Sequence, residues 1–273
     1  MTYRTALMSA VACAMLAACG GSSDGAPVAV TPPSTGGGGG TTPTPPVATS
    51  TELGSFDDAK AFLLRGSWGG TESEIDALVG TDAADWLRAE FAKGPTDLVG
   101  YYDPSASLYE QGPLADFRKL WWDDTLSGRA DLRARTTFAL SQILVASAGP
   151  GSNINAATRL RMSVYLDVLS RHAFGNYRDL LEDVTYTPQM GEFLTYFANR
   201  KAADDGSRQP DENYAREIMQ LFTIGLVELN MDGTPKLDAS GQPMETYTNA
   251  DVQGLARVFT GLASRKARRA AAG

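Results

Sequence analysis

Helix start and stop signals recur after residue 70 and constrain the fold of this chain more than any other feature. The stretch TESEIDALVG places Thr71 three residues before Glu74 and ends on Gly80. A threonine–glutamate pair at this spacing caps a helix N-terminus, and glycine is a common helix stop. The next stretch, TDAADWLRAEFAKGP, repeats the signals from Thr81 to Gly94. Two short successive helices are therefore predicted.

Longer apolar segments at helical spacing follow, without an alternating strand pattern. The runs TTFALSQILVAS and AATRLRMSVYLDVLSRHAFG predict two core helices, the first of them central. Further helices are predicted in NYRDLLEDVTY, PQMGEFLTYFAN, DENYAREIMQLFTIGL and TNADVQGLARVFTGL. Turn signals in NMDGTPKLDASGQPMETYT predict a turn-rich or hairpin insertion near residues 229–247. No internal repeat of fixed period is evident, so the predicted fold class is all-α.

The first residues have the pattern of a lipoprotein signal peptide. Arg4 precedes an apolar run that is too short to span a bilayer, and the run ends in LAAC at Cys19. This ending resembles the lipobox of bacterial lipoproteins, so residues 1–18 are predicted to be removed and Cys19 to be lipidated. An ordinary secretory signal with an incidental cysteine is the alternative. The glycine that follows favours the outer membrane in a diderm cell, and the expected location is the cell envelope.

A flexible tether is predicted between this anchor and the helical segments. Residues 19–50 are rich in Gly, Pro and Thr and show no periodicity. A coil of this length reaches about 30 Å, which would lift a domain clear of lipid headgroups. The helical domain is then assigned to residues 51–262, and residues 263–273 form an atypical basic tail.

Charge and residue counts exclude several functions. The net charge is −8, and part of the basic charge lies in the tail, so the body is more acidic still and nucleic acid is a poor partner. His172 is the only histidine, and Cys13 lies in the signal peptide. Zinc sites built from several histidines or cysteines are therefore excluded, and no metal or cofactor is indicated. Phosphate-binding and dinucleotide-binding glycine motifs are absent from the sequence.

Several motifs together resemble one bacterial family. They are HAFGNYRDLLEDVTYTPQMGEFL, RQPDENYAREIMQLFTIGLVELNMDGTPKLDASGQP and YTNADVQGLARVFTG. This chain closely resembles the family called domain of unknown function 1800, from about residue 59 to Gly261. The resemblance implies a largely helical, secreted or envelope-associated protein without an established activity, and it supplies no catalytic residues.

The end of the chain departs from that family. Its members look considerably longer, and a tryptophan is usual where this chain has Leu262. The tail ASRKARRAAAG has neither a cap nor apolar spacing. We therefore expect a truncated or frame-shifted end and about half of the family's domain, with apolar faces exposed as a consequence.

The helix in DENYAREIMQLF contains the main candidate site residues. On a helical wheel its polar side chains form one arc, which comprises Glu212, Asn213, Arg216, Glu217 and Gln220. Three readings are open. The arc is a solvated helix face, a buried polar network, or a site that binds a sugar or metal. Glu212 and Glu217 are weak catalytic candidates, with Asp179 as a carboxylate from a second helix.

Two tryptophans offer a different kind of site. Trp121 and Trp122 precede two aspartates, a combination that stacks on sugar rings, although core packing is the simpler reading. The oxygen-rich insertion near residues 229–247 does not match the spacing of an EF-hand calcium loop. His172, near a helix end, is assigned a capping role.

Two function classes follow from these observations. The first is a lipid-anchored envelope protein that contacts the membrane through Cys19 and binds or helps to assemble another exported component. The second is an envelope hydrolase that acts on a glycan or other polymer through acidic residues. A metal-dependent oxidase would need carboxylate ligands alone and ranks third.

Overall fold

The structure is a computed structural model that describes residues 51–102, 117–128, 131–149 and 155–263. The chain divides into two units at Ser50, and the described residues belong to the second. The predictions for the signal peptide, Cys19, the tether and residues 264–273 lie outside the described residues. No described helix is long and apolar enough to cross a membrane.

The described residues form an all-α domain, as the sequence predicts. They also contain a 3₁₀ turn, Val99–Tyr101, and a π-helical turn, Ile218–Phe222. The helices are α1 Phe56–Gly66, α2 Glu72–Asp76, α3 Ala83–Ala92, α4 Phe117–Thr125, α5 Asp131–Ile143, α6 Ala156–Arg171, α7 Tyr177–Thr185, α8 Pro188–Phe193, α9 Asn213–Glu217 and α10 Asn249–Val258. Extended backbone in these ranges is limited to isolated bridges.

Helix caps explain where several elements begin. Thr71 and Glu74 form the predicted capping box of α2, and Thr248 forms another with Asp251 at α10. The predicted cap of α3 is off by one residue. The Asp82 carboxylate accepts the Ala84 N–H at 2.8 Å, whereas the Thr81 hydroxyl donates to a carbonyl of the preceding turn.

Helix α6 lies at the centre of the main apolar core. Most of its length is buried, including Met162, Leu166 and Leu169, and it packs against α4, α5, α7 and α8. The prediction that α5 is central is wrong. Its buried residues are Arg133, Ala134 and Thr137, and Ile143 is exposed, because α5 turns a mixed face to α6.

Two smaller clusters complete the packing. Near the start of the domain, Leu53, Ala59, Leu63 and Ile75 form one cluster. Near its end, α9 and α10 pack through small residues, with Ala215, Val252 and Ala256 buried between them. The second cluster fixes α10 against the helix that carries the candidate site residues.

Candidate functional site

The predicted site helix is α-helical only as far as Glu217. Beyond it the backbone widens into a π-helical turn, closed by the Thr223 hydroxyl, which donates to the Ile218 carbonyl at 2.6 Å. The Gly225 N–H then donates to the Met219 carbonyl at 2.9 Å. Gln220 therefore lies outside the α-helical arc assumed from the sequence. π-Helical turns are rare and frequently lie at functional sites.

Arg216 links this helix to α10. Its guanidinium lies 2.6 Å from the Glu212 carboxylate and donates at 2.8 Å to the side-chain oxygen of Asn249, the first residue of α10. Arg216 keeps nearly half of its side chain exposed, so the ion pair contributes little stability by itself. The contact with Asn249 gives it a positioning role between two helices.

Glu217 has a different environment from Glu212. It is half-buried, and burial raises the pKa of its carboxyl above the ordinary value. Neither Glu217 nor Gln220 makes a side-chain hydrogen bond or ion pair within the described part of the chain. Among the described residues Glu217 is thus a protonatable group that no side chain pairs with, as a general acid can be, and none of them brings a second acid to it.

Asn213 belongs to a polar network with two strained residues. The Asp211 carboxylate accepts the Asn213 N–H and the Thr195 hydroxyl, both at 2.9 Å. Asn199 pairs with the Asp211 backbone at 2.9 and 3.2 Å. Thr195 and Ala198 have φ values of 62° and 59°, in the left-handed region that side chains other than glycine rarely adopt. Backbone strain of this kind often marks functional sites.

The remaining predicted candidates lie elsewhere. Asp179 is exposed in the first turn of α7, without a side-chain partner in the described ranges. On the same helix the Asp183 carboxylate lies 2.7 Å from His172 Nε2, and His172 is the C-terminal cap residue of α6. His172 therefore joins two helices. Among the described residues, no hydrogen bond or ion pair connects Asp179 with Glu212 or Glu217.

The two adjacent tryptophans pack inward. Trp121 is buried in the main core, and Trp122 lies against its edge, with its ring centroid 5.7 Å from that of Trp68. Phe138 also meets Trp68 edge to face. An exposed stacking platform for a sugar is therefore not formed by this pair.

Sequence reasoning missed a buried carboxylate on α6. Asp167 accepts the Leu98 and Val99 N–H groups at 2.9 Å each and the Thr96 hydroxyl at 3.0 Å. Burial raises the pKa of Asp167, although these hydrogen bonds act in the opposite direction. The available signal was that Asp167 is the one acidic residue of the α6 sequence.

Asp167 shapes a loop between two open clefts. The loop Lys93–Tyr101 separates clefts of about 420 and 450 Å³, and Asp97 lines both of them. From beneath the loop, Arg133 donates to the carbonyls of Ser170 and Lys93 at 2.8 and 3.0 Å. The Asp167 carboxylate and the Arg133 guanidinium thus fix the position of the loop through hydrogen bonds. Among the described residues, no three acidic, histidine or cysteine side chains converge as metal ligands.

The predicted insertion is a pair of hairpins with a repeat that sequence reasoning missed. Residues 226–246, the double hairpin, contain two eight-residue units that match at Leu229 and Leu237, Gly233 and Gly241, and Pro235 and Pro243. Each glycine has φ above 80°. Chemically different residues fill the other positions, which explains why the period escaped notice.

A closed ring of backbone hydrogen bonds holds the double hairpin together. Glu228 donates to Met244 at 2.9 Å, Met244 to Lys236 at 2.9 Å, and Lys236 to Glu228 at 2.8 Å. Two aspartates tighten the turns, because Asp232 accepts the Thr234 N–H and Asp238 accepts the Ser240 and Gln242 N–H groups. The hydrogen bonds of these two carboxylates therefore stabilise the backbone of the turns.

The double hairpin exposes apolar side chains. None of its residues is a member of the three apolar clusters of the described domain. Leu229 is 54% and Leu237 58% exposed, and Met231 is fully exposed. We call Leu229, Met231 and Leu237 the leucine–methionine surface. Leu226 and Met244 are also exposed, but they stand at the alternate positions of their segments, where side chains point to the other face. Because the ring joins the three segments, their flanking residues lie within about two strand spacings, or 10 Å.

Comparison with known proteins gave one finding. A family model described as a protein of unknown function, DUF1800, matches residues 61–273. Neither the curated proteins nor the solved structures gave a match. The matched range includes the π-helical turn, the polar network around Asp211 and the double hairpin.

Proposed function

This chain belongs to the DUF1800 family, and from its own residues we propose that it is a lipid-anchored cell-envelope protein whose helical domain binds another exported component. The lipobox-like LAAC, with Cys19 as the lipidated residue, supports the anchor. The long polar segment that follows supports a domain held away from the membrane. The outer membrane is the favoured location in a diderm cell.

The leucine–methionine surface carries the binding part of the proposal. Soluble proteins seldom expose several large apolar side chains together unless the patch contacts a partner. Here the apolar side chains lie on a hydrogen-bonded scaffold that contributes nothing to the three apolar clusters of the described domain. A scaffold of this kind orders its side chains before a partner arrives, which lowers the entropic cost of binding.

The polar groups fit binding better than catalysis. Glu212 is ion-paired with Arg216, and Arg216 also contacts α10. Asp179 lies on a separate exposed helix face, and no carboxyl group of the described residues is paired with Glu217. A glycoside-cleaving pair requires two carboxyl groups across one cleft.

Photocrosslinking in the native cell tests the binding proposal. A photoreactive amino acid replaces Met231 in the leucine–methionine surface and, as a matched control, Leu64, which is 55% exposed on α1. We expect a discrete protein adduct from position 231 and none from position 64. Adducts of equal yield at both positions, or none at position 231, would remove the surface as a binding site.

The anchor is tested separately. Cys19→Ser should abolish lipid labelling, and globomycin should block processing of the parent chain. We expect fractionation to move the processed parent, and not the variant, with the outer membrane. Unchanged membrane association of Cys19→Ser with unchanged processing under globomycin would contradict the anchor.

One observation favours the alternative function, an envelope hydrolase that acts on a glycan or other polymer. Burial raises the pKa of Glu217, as a general acid requires, with Glu212 and Asp179 as further candidate groups. Glu217→Gln should then abolish polymer cleavage without lowering the melting temperature. Full cleavage by this variant would eliminate Glu217 as the acid.

A further inference from the structure

We propose that the leucine–methionine surface binds a protein segment that combines apolar side chains with lysine or arginine. The inference rests on the proposed binding function and adds the chemistry of the partner. It is carried by the charges that surround the exposed apolar residues and by two prolines that disfavour pairing of the double hairpin with an added strand.

The double hairpin is strongly acidic for its size. It contains Glu228, Asp232, Asp238 and Glu245, and its one basic residue is Lys236. Lys236 lies 3.0 Å from the Glu228 carboxylate, so this pair cancels. Asp232, Asp238 and Glu245 remain, and the apolar side chains between them are therefore bordered by negative charge. Complementary charge speeds the association of oppositely charged partners and disfavours the binding of partners with like charge.

Two of these charges persist over a wide pH range. Hydrogen bonds from Thr234 to Asp232, and from Gln242 and Ser240 to Asp238, lower the pKa of both carboxyls. A carboxyl with a lowered pKa stays ionised in mildly acidic surroundings. The acidic border thus remains where the exterior of a cell becomes acidic.

Recognition must occur through side chains, because the double hairpin is protected against strand addition. Pro235 lies opposite Leu229, and Pro243 lies opposite Leu237, in the two bridged pairs. Proline lacks an N–H group and interrupts the edge that an added strand would use. The partner's main chain therefore contributes little, and its apolar side chains supply the contact.

The same charges disfavour two other occupants. A second copy of this chain would bring one acidic border against another, and like charges in contact cost free energy. An anionic lipid surface attracts basic residues and would repel Asp232, Asp238 and Glu245. A basic and apolar protein segment satisfies both features of the surface.

Peptide binding tests this partner chemistry. Met231→Cys adds a reactive thiol for a polarity-sensitive dye, since Cys13 lies in the signal peptide and Cys19 carries the lipid in the proposed form. The whole exported chain is held in phosphatidylcholine nanodiscs, with empty nanodiscs as background. The probes are peptides of repeated Lys-Leu-Leu-Lys, Glu-Leu-Leu-Glu and Lys-Ser-Ser-Lys units. We expect a blue shift with the first peptide only.

Matched variants assign the binding to the surface. Leu229→Ser with Leu237→Ser should weaken binding of the Lys-Leu-Leu-Lys peptide by at least about tenfold, whereas Leu64→Ser should not change it. Asp232→Asn with Asp238→Asn keeps an acceptor oxygen for each turn and removes two charges. This pair should weaken binding several-fold and flatten its dependence on salt.

Three outcomes would overturn the inference. They are equal binding of the acidic peptide, a blue shift on adding phosphatidylglycerol to the nanodiscs without peptide, and self-association that Leu229→Ser with Leu237→Ser abolishes. A protein adduct from position 231 together with any of these would leave the proposed function standing and discard only the cationic partner. Absence of both adduct and peptide binding would discard both proposals.

Discussion

At the scale of single residues, Asp167 shows how one buried carboxylate can organise a loop. It is the acceptor for two backbone N–H groups and one hydroxyl of the segment from Thr96 to Val99. This loop lies between the two clefts described above. A periodicity argument assigns such a residue to a polar face, because the sequence does not show that a distant loop folds back onto it.

Removing the Asp167 carboxylate should cost stability. Asp167→Ala leaves the buried Leu98 N–H without its acceptor, and a loss of about 2–4 kcal/mol in the free energy of unfolding is expected. Asp167→Asn keeps one acceptor oxygen and should lose less. Denaturant unfolding measures both, with exposed Asp179→Ala as the control. A loss below that of the control would contradict the anchoring role.

Replacing Ala198 with glycine should increase the stability of the domain. Its φ of 59° is strained for alanine and unstrained for glycine, so Ala198→Gly should stabilise the domain by about 0.5–1 kcal/mol. The matched control is Ala61→Gly, inside α1, which should destabilise by about the same amount. Thermal unfolding of the two variants checks the opposite signs. A loss in both would show that the strain at Ala198 is absent.

Glu217 should make stability depend on pH with a definite sign. Its folded-state pKa is raised above 4.5, so the folded chain holds this proton more tightly than the unfolded chain. Stability then falls as the pH rises through the raised pKa. Glu217→Gln should equal the parent in acid and exceed it slightly at neutral pH. Lower stability of the variant at neutral pH would reveal an unseen partner.

At the scale of elements, local signals predicted helix ends well and tertiary context poorly. Thr71 and Thr248 cap as expected because capping depends only on neighbouring residues. The π-helical turn after Glu217 depends on contacts that a helical wheel does not contain, so Gln220 was placed on the wrong arc. Likewise, Arg216 contacts Asn249 across a long separation in sequence.

Strain in one turn should destabilise the double hairpin locally without unfolding the domain. Gly241 has φ of 82°, so Gly241→Ala strains its turn by about 1–2 kcal/mol. Because residues 226–246 contribute to none of the apolar clusters, the melting temperature should change little. Hydrogen exchange of the backbone amides at positions 236 and 241 should accelerate in this variant, while exchange in α6 stays unchanged. Global destabilisation would show that the double hairpin supports the core.

At the scale of the whole molecule, the all-α class was predictable, but α5 was predicted to be the central helix and α6 takes that place. Both α5 and α6 have apolar runs, but burial depends on which face meets which neighbour. Arg133 on α5 is buried because it reaches carbonyls at 2.8 and 3.0 Å, a pairing that pattern arguments do not contain. The candidate site residues could be listed from the sequence, whereas their partners could not.

The central role of α6 gives the largest expected effect. Leu169 is fully buried where the main core is deepest, so Leu169→Ala should cost about 3 kcal/mol and lower the melting temperature by about 6–12 °C. The matched control, Leu64→Ala on the surface of α1, should stay within about 0.5 kcal/mol. Similar losses for both leucines would contradict the assignment of the core.

The backbone ring of the double hairpin also makes it transferable. The Thr246 N–H donates to the Leu226 carbonyl at 3.2 Å, so the segment leaves and re-enters the domain at adjacent points. A short glycine bridge between Gly225 and Tyr247 could replace it, and the excised segment could be inserted into any tight turn of an unrelated scaffold. If the double hairpin binds a partner as proposed, the transplanted segment should carry that binding with it as one cassette, independently of the helices of this domain.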